Sequence, residues 1–418
     1  MRMSLLLPLL GAVLLAGCAP ASRPAPPAAA LPPAPVLVAE AIGEPAVDRP
    51  LVAHVNAIDL DADGRLDVIA CDVRAGRVVW LRQVERGRFE ETVLAEGLGA
   101  PVRTEVADLD GDGRREILVA CMGVVYPNND RIGSIVVLIA DGNGGYTKRV
   151  LADRLARVTD VRVGDLNADG RADLAVAQFG YDDGEVQWFE QRPDGSFQPH
   201  GLLSLPGAIN IVIEDFDGDR DPDLAALISQ NTEEVILWQN DGRGRFTPVT
   251  LFGSTNEDFG SSGLIATDLN RDGRPDLLFT NGDGFDYAEP GSRPSHGVQW
   301  IENLGSGQFR LHRLGDWPGA YSPVAVDYDG DGDRDVLIVS CFQDWVRSPR
   351  ASLVLFRNDG RMNFTAEPLA LAPTHLVTLA AGDFDGDGRP GLVTGGFHAY
   401  PPYDRMSRIS RWRPVPAP

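Results

Sequence analysis

Seven short acidic segments carry the chemistry of this chain. The first contributes Asp59, Asp61, Asp63 and Asp67, and the second Asp108, Asp110, Asp112 and Glu116. The third has Asp165, Asn167, Asp169 and Asp173, and the fourth Asp215, Asp217, Asp219 and Asp223. The fifth has Asp268, Asn270, Asp272 and Asp276, and the sixth Asp327, Asp329, Asp331 and Asp335. The seventh keeps Asp383, Asp385 and Asp387 but has Gly391 in its ninth place. In each segment, oxygens at positions 1, 3 and 5 surround one point. Position 7 adds a backbone carbonyl and position 9 a further carboxylate. A hard cation such as Ca²⁺ takes six to eight oxygens at about 2.3–2.6 Å. Softer metals prefer His or Cys, which these segments lack. Carboxylates clustered without a cation repel one another strongly. Several bound Ca²⁺ ions are therefore expected, in a structural role, because no catalytic constellation lies beside any loop. The sites should differ. Arg220 stands where the other six segments have Gly, so a positive φ there brings strain. The seventh segment, short of its last carboxylate, should bind most weakly.

The segments start 49, 57, 50, 53, 59 and 56 residues apart, which marks one supersecondary unit repeated seven times. A short alternating or apolar run precedes each, as in VTDVRVG, and a β-rich run such as EILVAC or DVLIVSC follows. A third run carries an aromatic at one slot: Trp80, Trp188, Trp238, Trp300, Phe356 and Trp412. A turn signal and a fourth run come next. Four strands per unit predict an all-β fold, a seven-bladed β-propeller of four-stranded blades. The seventh unit ends at its third run, RISRWRPV, while PVLVAEAIG at 35–43 is left over and reads as a fourth strand. That N-terminal strand is expected to complete the last blade and close the ring, leaving no open edge.

These units resemble the FG-GAP/VCBS repeats of integrin-α-type propellers over about 36–418. The resemblance implies the propeller fold and calcium sites in the acidic loops. It implies little about biological task, because one fold hosts many functions.

The N-terminus reads as a targeting segment. Arg2 precedes the apolar run LLLPLLGAVLLAG, which is short for a membrane span. Leu15-Ala16-Gly17-Cys18 resembles a bacterial lipobox, which implies cleavage before Cys18 and lipidation of its thiol. Residues 1–17 are then a lipoprotein signal peptide, 18–35 a Pro/Ala-rich tether, and 36–418 the propeller. The protein is expected to be exported and lipid-anchored in the cell envelope, at the outer membrane, touching membrane only through that anchor. Cys71, Cys121 and Cys341 lie in apolar runs and are expected to be buried hydrophobes. The net charge of −22 excludes a nucleic-acid face. A monomer is expected.

Function is expected on the rim opposite the acidic loops, where the long connections fall: 122–133, 281–297, 342–351 and 397–407. Their Tyr287, His296, Trp345, Tyr400 and Tyr403 suit recognition of a protein or glycan partner. Gln178, Gln230, Glu233, Asp258, Asn281, Asp283, Asp344 and His398 are candidates to converge near the axis. No motif fixes a catalytic pair, so no catalytic residue is assigned. The leading expectation is a calcium-binding, envelope-anchored binding or scaffold module. The alternative is a calcium-dependent carbohydrate-active enzyme of the polysaccharide lyase type, and a third possibility is a partner of an envelope redox protein.

Overall fold

The structure is a computed structural model that describes residues 36–415, apart from 143, 231, 257 and 286–289. Cys18, the signal segment, the tether and Tyr287 lie outside the described residues. All regular elements among the described residues are β-strands, arranged in seven antiparallel sheets of four. Blades 1 to 6 run 52–95, 101–155, 158–203, 208–254, 261–316 and 320–370, each in simple up-and-down order.

The second strand of blades 1 to 6 is buried almost end to end, as in DVIACD and EILVAC. Both its faces press on neighbouring blades, which is why the sequence there is continuously apolar rather than alternating. Ile69 and Cys71 of blade 1, for example, share a core with Ile117, Val119 and Cys121 of blade 2. Cys71, Cys121 and Cys341 are free thiols buried in such cores, as their apolar settings foretold. The fourth strands lie outermost and are the most exposed.

The aromatic position, a single slot in the sequence, proves to be two. Trp188 pairs with the second residue after the acidic segment, Ala175, whereas Trp238 pairs with the first, Leu224. Neighbouring positions on a strand face opposite ways. Trp188 and Trp238 thus meet in one core between blades 3 and 4. Trp300 and Phe356 meet likewise between blades 5 and 6.

Blade 7 comprises 376–414 and closes as expected. Strand β1 (Leu37–Ala41) pairs with Ile409–Pro414, matching Ala39 with Trp412. At the seam with blade 1, Arg408 reaches Glu91 at 2.7 Å and Asp72 at 3.2 Å, and all three side chains are buried.

Candidate metal loops and the opposite rim

Each acidic segment joins the first and second strands of its blade, so all seven lie on one rim. The carboxylate at position 1 builds the turn. Asp59 accepts from the amides of Asp63 and Gly64 at 3.0 and 2.9 Å, and Asp268 from those of Asp272 and Gly273 at 2.9 Å each. Position 6 has positive φ in every loop, including Arg220 at 77°. Position 4 does too: Ala62, Ala168 and Arg271 hold left-handed φ of 59°, 56° and 61°. The other four loops have Gly at position 4, a pattern that Ala62, Ala168 and Arg271 interrupt.

Position 9 anchors loops one, three, four, five and six to the blade. Asp223 is fully buried, accepting from the amide of Phe216 in its own loop at 3.0 Å and that of Asn240 on the third strand at 2.8 Å. Asp67, Asp173, Asp276 and Asp335 repeat the arrangement. Burial raises Asp173, Asp223 and Asp276 to about 6, against the pull of those amide bonds.

Three carboxylates converge within 4.8 Å in four of the loops: Asp59, Asp61 and Asp67; Asp108, Asp110 and Glu116; Asp215, Asp217 and Asp223; and Asp327, Asp329 and Asp331. The all-oxygen donor set fits a hard divalent cation. Loops three and five have Asn167 and Asn270 at position 3, and loop seven lacks the ninth carboxylate. Position 5 joins the cluster in loop six, through Asp331, and meets an arginine in four other loops. Asp63, Asp169 and Asp272 are drawn to Arg65, Arg171 and Arg274 at position 7, and Asp112 to Arg114. In loop seven, Arg86 of blade 1 contacts Asp385 and Asp387 at 3.3 Å each.

One set of partners escaped sequence reasoning. The third-strand residue just before the one that bonds position 9 faces loop position 3. Opposite Asp61 it is Arg82 at 2.6 Å, opposite Asp329 it is Arg357, and opposite Asp217 it is Gln239 at 3.2 Å. Where loop five has Asn270, the facing residue is Glu302, 3.5 Å away. Blade 3, with Asn167, has Glu190 in that place. In these five blades arginine or glutamine thus faces a loop carboxylate and glutamate stands at the place facing a loop asparagine, a correlation visible only once the strands are in register.

The FG-GAP-like repeat family matches residues 59–119, 165–226 and 215–279, segments that each run from one acidic loop through the next. The chain is a seven-bladed propeller of FG-GAP-like repeats. It is 22% identical to cartilage acidic protein 1 of Mus musculus over 390 residues, covering 81% of this chain and 56% of that protein. It is 24% identical to the T-cell immunomodulatory protein of Rattus norvegicus over 314 residues, covering 68% of this chain and 48% of that one. The chain therefore spans about half the length of the curated relatives it matches. Among solved structures it is similar to the V. cholerae biofilm matrix protein Bap1, at 13% identity and a TM-score of 0.42, over 90% of this chain and 91% of that chain. A likeness that loose adds no argument.

On the other rim of this FG-GAP-like propeller, the first strands of all seven blades surround an axial cavity of about 370 Å³. Connections between second and third strands wall its mouth, including Tyr126, Phe179, Phe285 and Tyr400. Of the polar candidates for the axis, Asp283 lines this cavity and accepts from Tyr321 Oη at 2.7 Å. Gln178, Asn281 and His398 are fully buried instead and tie strands to connections. The aromatic expectation needs correction. Trp345 is buried, donating from Nε1 to the Cys341 carbonyl at 3.1 Å, and His296 is buried as well. Among the described residues Tyr126 and Tyr181 are the exposed aromatics, on neighbouring connections linked by Asn129 and Asp182 at 2.6 Å.

Proposed function

We propose that this chain is a binding or scaffold module whose frame is stabilised by Ca²⁺ and whose working face is the rim opposite the acidic loops, where it takes a protein or glycan partner. The observation that carries the reading is the contrast between the rims. On one, nine-residue loops are caged by their own carboxylates and locked to the third strands, which leaves them little freedom to vary. On the other, long connections surround a cavity and present Tyr126 at 56% and Tyr181 at 36% exposure. Exposed tyrosines are efficient binding anchors, because a large rigid surface is buried at little entropic cost. Where the acidic clusters converge, Ca²⁺ supplies charge neutralisation and oxygen coordination, and the residues at positions 1, 3 and 9, or 1, 3 and 5 in loop six, would hold it. The lipobox-like Leu15–Cys18 supports placement of the module on the cell envelope through a lipid at Cys18.

The test is capture by the lipid-free propeller on a glycan array and by cross-linking in isolated envelopes. Tyr126→Ala with Tyr181→Ala should abolish the specific signal without shifting the melting temperature. Altering Asp194 and Arg243, in third-to-fourth-strand turns of the acidic rim, should leave capture intact. The reverse pattern would put the working face on the acidic rim.

A further inference from the structure

We infer that the axial cavity binds a small amphipathic carboxylate, with the Arg103 guanidinium taking the anionic head and the aromatic wall taking the apolar body. This needs neither bound Ca²⁺ nor a macromolecular partner on the rim, so it stands or falls separately from the function proposed above.

Two arginines and two carboxylates cluster on the first strands of blades 2 and 3. Arg103 lies on the first strand of blade 2 (Pro101–Ala107) and lines the cavity. Its Nε stands 2.9 Å from Asp160, a fully buried carboxylate on the first strand of blade 3. Asp160 is shared, because Arg162 Nε lies 3.1 Å from the same oxygen. Arg162 also holds the nearer contact to Glu105, at 2.9 Å. Arg103 is thus left with part of one carboxylate, and its two Nη atoms donate no hydrogen bond to any described residue. Burial, with Arg162 close by, lowers Arg103 to about 10, which leaves it charged at neutral pH in a setting that favours an added anion. Guanidinium geometry matches a carboxylate with two parallel hydrogen bonds.

The remainder of the cavity sets the body of the ligand. Phe285 packs against Phe397 and Tyr400 at centroid separations of 5.5 and 5.9 Å, and Leu264 and Val324 extend the apolar wall. Asp283, a lining carboxylate, is engaged by Tyr321, so its repulsion of an incoming anion is tempered. A volume of about 370 Å³ sits within the range of small-molecule sites. An aromatic or aliphatic acid matches both the guanidinium and this apolar wall.

The experiment uses 3-phenylpropionate and its uncharged counterpart 3-phenylpropan-1-ol, titrated into the full propeller by calorimetry. The acid should bind one to one and at least about tenfold more tightly than the alcohol. Arg103→Gln should bring the acid down to the level of the alcohol and leave the alcohol unchanged. Equal affinity for acid and alcohol in the unaltered protein would overturn the proposal, as would undiminished acid binding by a folded Arg103→Gln variant. Should that variant fold poorly, a crystal of the unaltered protein soaked with the acid decides. A carboxylate within hydrogen-bond distance of Arg103 supports the assignment, and a ligand seated elsewhere refutes it.

Discussion

Arg220 holds φ of 77° at the loop position where the other six repeats place Gly. A side chain costs about 1 kcal/mol there, because Cβ crowds the following carbonyl in the left-handed region. Arg220→Gly should therefore raise stability by up to about 1 kcal/mol, read as a higher melting temperature. Glu233, on the opposite rim, tests the cost of a buried charge. It accepts from the amides of Gly260 and Ser261 at 3.3 and 3.0 Å, yet burial and the nearby Asp283 raise it from 4.5 to about 7. The folded form holds this proton more tightly than the unfolded chain. Its contribution to stability is thus complete below about 4.5 and is lost as pH rises through about 7, a swing of up to roughly 3 kcal/mol. Glu233→Gln should gain melting temperature relative to the parent between pH 5 and pH 8, and an unchanged difference across that range would contradict the reading. At this scale the loop carboxylates were legible because their spacing is local. Arg82, Gln239, Glu302 and Arg357 were not. Each meets its loop from a strand about twenty to thirty residues further on, so only the register brings them together.

The elements were legible for a different reason. Seven repeats of one strand pattern average out local ambiguity, and an unmatched strand at each end of the chain leaves one economical closure. The pairing of Leu37–Ala41 with Ile409–Pro414 makes that closure real, and it predicts unequal effects of truncation. A chain starting at residue 43 should melt far below one starting at residue 34, and equal melting temperatures would refute the role of the strand. Arg408 belongs to the same seam. It is buried between Glu91 and Asp72, so Arg408→Ala leaves the two carboxylates only the more distant guanidinium of Arg77, at 3.8 and 3.9 Å, and should cost about 3 kcal/mol in a denaturant titration. The connections of the opposite rim were the illegible part. They have neither period nor register, so nothing in the sequence separated Trp345, which packs beside His375, from Tyr126, which faces solvent.

For the molecule as a whole, the net charge of −22 and the propeller frame point to the same dependency. Acidic side chains are gathered on one rim, three to a cluster in four loops, and several of their carboxyls are raised by burial. Arginines at position 7 and on the third strands offset part of this charge. Seven divalent ions would offset 14 of the 22 negative charges. An ion that binds only the folded form stabilises it by mass action, and seven loops distributed around a closed ring would let it act on every blade at once. The most direct test is the metal content of the purified propeller, combined with its melting temperature before and after dialysis against chelator. The account predicts five to seven Ca²⁺ per chain, lost with the chelator together with a clear fall in melting temperature, and restored by Ca²⁺ but not by equimolar Mg²⁺. A propeller that carries no titratable Ca²⁺ and melts identically with and without chelator would contradict it.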